Sequence, residues 1–352
     1  MRRKTDTRAG RTKKPRLTAL FFIFFAFPAW GACGANVFVP VFDLTSWVNA
    51  DAKIETRADF GLTFDGGNKY QAEVTFKYYN LAVETDPAQA VLFDGANASV
   101  RDVLQFLDIT YFTGFYETLG EGMHYKGHLY HRGGFEYVGY YPVAGTGLLF
   151  TGHITERMAA GLSAYQRVGS EYIDSMDLTY SAGSDSLGFQ LFTGVSSQVY
   201  RAGTMLTFSG NEIELSLTVG TLTIEEGRSI TFDDFYFLAE EWFKMNRWDL
   251  WLSVFTRPRI HYDYVTRLYA DTGETNDIDF NFDLSNTSKK GTFTTGGEFN
   301  IRTDSLDDLG VSFSPYISIF SSGLTWKIKV DLNLLSQSRD LFSAYLNLQS
   351  SF

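Results

Sequence analysis

Leu324-Thr-Trp-Lys-Ile-Lys-Val-Asp-Leu-Asn-Leu334 alternates without a break. Leu324, Trp326, Ile328, Val330, Leu332 and Leu334 are apolar, and Thr325, Lys327, Lys329, Asp331 and Asn333 between them are polar or charged. A strand sends successive side chains to opposite faces, so this stretch builds one apolar wall and one charged wall. A polar break follows, Ser336-Gln-Ser-Arg-Asp340, after which Phe342, Ala344, Leu346, Leu348, Ser350 and Phe352 fall on one parity. Two such units in succession describe a sheet with lipid on one side and water on the other.

The closing stretch Tyr345-Leu-Asn-Leu-Gln-Ser-Ser-Phe352 resembles the C-terminal signature of bacterial outer-membrane β-barrels, with Tyr345, Leu348 and Phe352 as the assembly signal. In that family a final Phe preceded by alternate apolar residues is read by the barrel-assembly machinery. The resemblance therefore implies that machinery and outer-membrane lipid as partners, and the bacterial outer membrane as the location.

Composition agrees with an all-β transmembrane barrel. Aromatic residues make up 16% of the 352, with 32 Phe and 20 Tyr, and Gly (32) far outnumbers Pro (7). Mean hydropathy is only −0.12. Rich aromatics on near-neutral hydropathy fit alternating strands with aromatic girdles. Beyond the N-terminal segment no apolar run approaches the roughly 18 residues of a membrane helix. A closed sheet is then the way to span lipid, because lipid cannot satisfy an open edge.

Residues 1–35 read as an export signal. Eight Lys or Arg and one acid, Asp6, precede an apolar run from Leu17 to Trp30 and the small residues Gly31-Ala-Cys-Gly-Ala35. Removing those eight cations and one acid from a net −11 leaves −18, which argues against nucleic acid as a partner. Cys33 is the single cysteine. Cleavage after Ala35 leaves no thiol, and cleavage before Cys33 would make it a lipid anchor, although Trp30 fits that motif poorly.

Residues 36–52 read as a lead-in, and 53–352 as a single barrel. Lys53, Glu55, Arg57 and Asp59 face away from Ile54, Thr56, Ala58 and Phe60. Asp65-Gly-Gly-Asn68 supplies a hairpin turn, and Glu73 and Lys77 stand on the polar side of the return strand. Residues 80–105 break the alternation and read as helical, with Pro87 and Ser99 placed to start helices. Alternation resumes near Leu107, and 135–141 forms the next strand. Even positions from Leu148 to Ala164 then read as one long strand, with two short ones as the alternative. Further strands are predicted at 173–180, 187–196, 198–208, 212–222, 233–243, 247–256, 277–284, 291–302 and 309–320. The best total is 16 antiparallel up-and-down strands, within a range of 14 to 18. The turns 321–323, 285–290, 244–246, 209–211 and 181–186 would be periplasmic, and the long segments 117–134 and 257–276 would be outer loops.

The function read from this pattern is passive passage of small polar solutes through a porin-like channel. A closed barrel used for surface binding or adhesion is the alternative. Pore-lining candidates are Lys53, Glu55, Arg57, Asp59, Glu73, Lys77, Arg157, Glu214, Lys327, Lys329 and Asp331, whose charges would hydrate the lumen and orient a polar solute. His124, His128 and His131, with Glu117 and Glu121 upstream, have spacing that a transition metal could use. Gly120, Gly122, Gly127, Gly133 and Gly134 argue against the helix such a site needs, so no metal and no cofactor is assigned and the segment reads as a surface loop or one folded inward. Catalysis is not expected. His153 lies in a strand, His261 lies near Asp263 and Arg257 in a loop, and no Gly-x-Ser-x-Gly is present. Trp242, Trp248, Trp251 and Trp326 sit near strand ends, where their rings suit the membrane interface.

Overall fold

A computed structural model describes residues 36–39, 42–48, 54–81, 88–123, 141–196, 199–225, 229–256, 258–263, 268–271, 278–304, 308–335 and 342–350. Strands dominate them. In chain order these are β1 (Asn36–Phe38), β2 (Phe42–Val48), β3 (Ile54–Asp65), β4 (Tyr70–Leu81), β5 (Ala88–Val103), β6 (Leu107–Leu119) and β7 (Tyr141–Thr155). There follow β8 (Met158–Gln166), β9 (Ser175–Gly183), β10 (Leu187–Ser196), β11 (Val199–Ser209), β12 (Ile213–Glu225), β13 (Phe235–Met245) and β14 (Trp248–Thr256). The last are β15 (Ile260–Asp263), β16 (Leu268–Asp271), β17 (Ile278–Thr287), β18 (Phe293–Asp304), β19 (Asp308–Ser321), β20 (Leu324–Leu335) and β21 (Phe342–Ser350).

Each strand pairs antiparallel with its chain neighbour, and β2 pairs with β21, so the sheet closes. The seam runs from Asp43↔Gln349 to Val48↔Ala344. β1 and β2 both pair with β3, one residue out of step with each other, and share one position in the wall. Among the described residues the barrel therefore has eighteen strand positions. β15 and β16 form a separate hairpin in the connection from β14 to β17. No helix of the described residues is long and apolar enough to cross a membrane. Closure removes the edges that lipid could not satisfy.

Eighteen follows from sixteen by three gains, at 36–48, at 88–103 and in the division of 148–164, less the strand read at 135–141, of which only Tyr141 is described and begins β7. Residues 36–48, read as a lead-in, provide the first strand. Residues 88–103, read as helical, are β5, and Ser99 hydrogen-bonds Thr110 across the strand pair at 2.8 Å instead of capping a helix. A bulge hid β5. Asp94 is an extra residue between the pairs Thr75↔Gly95 and Phe76↔Phe93, so the apolar parity switches from Val91 and Phe93 to Ala96, Ala98 and Val100. The stretch from Leu148 to Ala164 is two strands, joined by a turn at Glu156 and Arg157.

One end of the barrel carries connections of only two to five residues, such as Asn246-Arg247 and Ser322-Gly323. The other carries the long ones, 120–140 and 257–277. Outward-facing positions stay apolar and exposed along the wall, as at Leu148, Phe150, Leu178, Leu191, Leu217, Ile317, Ile328 and Leu346. A water-soluble surface rarely tolerates so continuous an apolar band, whereas a bilayer requires it.

Candidate functional site

The inward face divides into two arcs. The first runs from β17 through β21, across the seam, to β5, and is polar. On β20, Lys327 reaches Glu298 of β18 at 2.7 Å, and Lys329 reaches Glu298 at 3.0 Å and Asp331 at 3.4 Å. Lys327 also lies 3.9 Å from the Tyr316 ring, whose hydroxyl donates to Asp283 at 3.0 Å. Asn300 donates to Asn281, which donates to Ser253, each at 3.0 Å. At the seam Asn347 donates to Thr45 at 3.0 Å and to Asp43, while Trp47 stacks on Tyr345. Further round, Arg57 stands 3.9 Å from Asp59, and Lys77 is paired to Asp94 at 3.0 Å. The bulge that obscured β5 is what turns Asp94 into the lumen beside Lys77.

The second arc, β6 to β14, is packed. Phe112, Leu119, Tyr141, Val143, Tyr165, Phe192, Tyr236, Leu238, Trp251 and Phe255 form one buried apolar cluster. Parity places these side chains on the face away from the exposed apolar band, so they pack on the inner side of the wall. At their centre lies an ion pair, Arg201 to Asp177 at 2.7 Å, with both side chains 1% exposed. Asp177 also accepts from the hydroxyls of Tyr141 and Tyr165 at 2.7 Å each, and Arg201 lies over the Tyr141 ring at 4.9 Å. The two tyrosine hydroxyls satisfy further lone pairs of the Asp177 carboxylate, which offsets part of the cost of burying the pair.

The chain leaving β6 turns into this arc. Met123 N–H donates to Glu240 Oε2 of β13 at 2.6 Å, a bond between residues 117 apart in sequence. Gly120 and Gly122 make the approach possible. Both have positive φ, 68° and 79°. A Cβ on Gly120 would lie 2.7 Å from Phe192 and 2.8 Å from Thr218, and one on Gly122 would collide with Glu240. Only glycine accepts that backbone and that space. The segment Gly120–Met123 thus lies against β10, β12 and β13 and narrows the lumen.

The sequence-predicted residues are distributed unevenly over this geometry. Arg57, Asp59, Lys77, Lys327, Lys329 and Asp331 fall in the polar arc. Glu55 lies in β3 on the same parity, and Glu73 accepts from Asn97 at 3.4 Å. Glu214 pairs with Lys244 on β13. Arg157 is a correction. It occupies the turn between β7 and β8 and reaches Asp185 of the next turn at 3.0 Å, because the parity that seemed unbroken runs through a hairpin. Lys53, Phe352, His124, His128 and His131 lie outside the described residues, and no metal-binding group occurs among those described. His153 contacts Asp108 at 3.0 Å near the short-turn end. Trp248 and Trp326 are exposed on the outer face, but Trp251 is buried in the inner cluster and Trp242 packs against it.

Sequence reasoning missed Glu240, Asp177, Arg201 and the buried aromatics. Their parity was readable from neighbours such as Ser163 beside Tyr165. Nothing local distinguishes an aromatic turned into a lumen from one turned into lipid.

No family model matches the chain, and no curated protein does. Solved structures match over most of its length. For Pseudomonas aeruginosa OccK1 (OpdK) the TM-score is 0.57 at 8% identity, covering 90% of this chain and 98% of that one. For P. aeruginosa OccK10 (OpdN) it is 0.57 at 9% identity, covering 90% and 99%. For P. aeruginosa OprD it is 0.55 at 10% identity, covering 90% and 94%. The fold is that of the outer-membrane porins. Identity this low carries the backbone path and not the wall residues.

Proposed function

We propose that this chain is an outer-membrane channel through which small polar solutes pass passively. The observation that carries this reading is the two-sided wall. Exposed Ile328, Trp326 and Leu346 face outward, and Lys327, Lys329 and Asn347 face inward from the same strands. A barrel of this strand number is wider than one that side chains alone can fill. The inward charges of β3, β4 and β20 supply the polar path, and residues 1–35 act as the export signal that delivers the chain.

The test is conductance in planar bilayers with purified, refolded protein. Discrete ion steps, together with swelling of liposomes in small neutral sugars, are expected. A second reading has its own observation: the packed β6–β14 arc favours a closed barrel used for surface binding. A folded, heat-modifiable protein that never opens a step would select that reading. Export is checked by the mass of the mature protein, which should begin at Asn36 and lack Cys33. A lipid on Cys33 would overturn that cleavage.

A further inference from the structure

Glu241 stands on the lipid side of the wall. On β13, Tyr236 and Leu238 lie in the buried inner cluster, Trp242 packs against it, and Glu240 holds Met123 N–H. Glu241 falls between Glu240 and Trp242, so it points outward with Ala239 and Phe243. Its cross-strand partners agree. It is paired with Leu215 of β12 and Leu252 of β14, and neither ladder slips. Leu217, the next outward residue on β12, is 39% exposed, and Glu241 itself is exposed.

Two further observations set it apart. Among the described positions in the body of the wall, it is the one acid or base on the outward parity. Among the described residues it also has no hydrogen-bond or ion-pair partner. The nearest cation in sequence, Lys244, has the inward parity and holds Glu214. Depth makes this costly. Four residues separate Glu241 from Met245, the end of β13, which pairs with exposed Trp248. At about 3.4 Å per residue and a tilt of about 40°, the carboxylate lies about 10 Å inside that level, roughly a third of the way across the hydrocarbon.

Ionisable side chains at such depth are paired with one another where they persist. A phospholipid amine stays in the headgroup layer, about 10 Å away. A second copy brings no counter-charge, because the described outward positions hold no Lys or Arg and a two-fold axis at this face sets Glu241 against itself. We propose that the outward face of β12–β14 around Glu241 docks a different membrane-spanning protein, whose lipid-facing surface presents a Lys or Arg at the same depth. Leu215, Leu217, Leu250 and Leu252 give the contact its apolar surround, and the ion pair fixes its depth and register. The inference rests on the outer-membrane location and stands whether or not the lumen conducts.

The experiment uses the full refolded barrel in phosphatidylcholine liposomes, whose headgroup has no N–H to donate. The probes are dansyl-labelled, membrane-spanning Leu-Ala helices with either Lys or Leu a third of the way across. Energy transfer from the barrel tryptophans reads association. The Lys helix should associate several-fold better than the Leu helix, and Glu241→Gln should abolish the difference. Glutamine keeps the shape of glutamate and is easier to hold in lipid, and heat-modifiable gel migration checks folding. Equal association of the two helices, or a Lys preference that survives Glu241→Gln, overturns the proposal. Two other results overturn it by naming another occupant. Self-association of the barrel that Glu241→Gln abolishes gives the face to a second copy. Loss of the Lys preference when phosphatidylethanolamine replaces phosphatidylcholine gives it to a lipid amine.

Discussion

The two arcs of the lumen wall solve the same problem by opposite means. From β17 to β5 inward charges are held by neighbours along one strand, as Arg57 and Asp59 are, or two strands away, as Lys327 and Lys329 are by Glu298. From β6 to β14 the inward face carries a buried, largely aromatic cluster, and the Arg201–Asp177 ion pair sits inside that cluster. In the polar arc Lys329 has two acceptors, Glu298 and Asp331, and Glu298 has two donors, Lys327 and Lys329, so losing one contact leaves another. In the packed arc Asp177 is the common acceptor for Arg201, Tyr141 and Tyr165. The difference is between a redundant network and a hub, and it predicts where substitutions cost most.

The largest effect is expected at the hub. Asp177→Ala leaves Arg201 buried without its counter-charge and should cost about 3–5 kcal/mol. Urea unfolding in detergent micelles, followed by tryptophan fluorescence, measures it. Replacing both members with apolar residues of similar volume, Asp177→Leu with Arg201→Met, should recover most of the loss. If the double replacement is no better than the single one, the hub is not an electrostatic unit.

Next in size is the hold on the inward segment. Glu240→Ala removes a hydrogen bond to a charged acceptor, about 1.5–3 kcal/mol at that contact. The barrel should stay folded while the segment leaves the wall, giving larger and noisier conductance steps. Gly122→Val should do the same by filling the space that Glu240 occupies. A smaller effect is expected in the polar arc. Lys327→Met leaves Glu298 with Lys329 as partner, so the loss in unfolding free energy should be about 1 kcal/mol or less. An effect there as large as at Asp177 would erase the distinction between the arcs.

Much of the polar arc was legible in the sequence. β20 and β3 alternate cleanly, and their charged parity is the inward one. The packed arc was not, for a physical reason. Alternation reports two faces but not which is wet, and its usual reading gives aromatics to lipid. Tyr165 and Phe112 fall on the parity of Ser163 and Thr110, yet they point inward and pack. What gathers them is closure of the sheet, which brings β6, β8, β10 and β13 together across a space no local window contains. Bulges did further damage. One at Asp94 disguised a strand, and the hairpin at Glu156-Arg157 preserved parity and so concealed a turn. The glycines at 120 and 122 were read as evidence against a helical metal site. Their role in close packing of an inward segment depends on Phe192, Thr218 and Glu240, far along the chain.

The smallest expected effect sharpens the comparison from outside both arcs. Arg157 has the charge and the apparent parity of a wall residue, but it stands in the turn after β7. Its partner Asp185 occupies the neighbouring turn, and both side chains are open to water, 61% and 90% exposed. Exposed pairs of this kind contribute roughly 0–1 kcal/mol, because water screens the attraction and two long side chains must be held in register. Arg157→Ala should therefore leave unfolding within about 0.5 kcal/mol of the unmodified barrel. It should also leave the reversal potential of single channels in a KCl gradient unchanged. A shift in that potential would place the side chain in the ion path and require β7 and β8 to continue as one strand. The outcome thus discriminates a charge that belongs to the lumen from one that only shares its spacing.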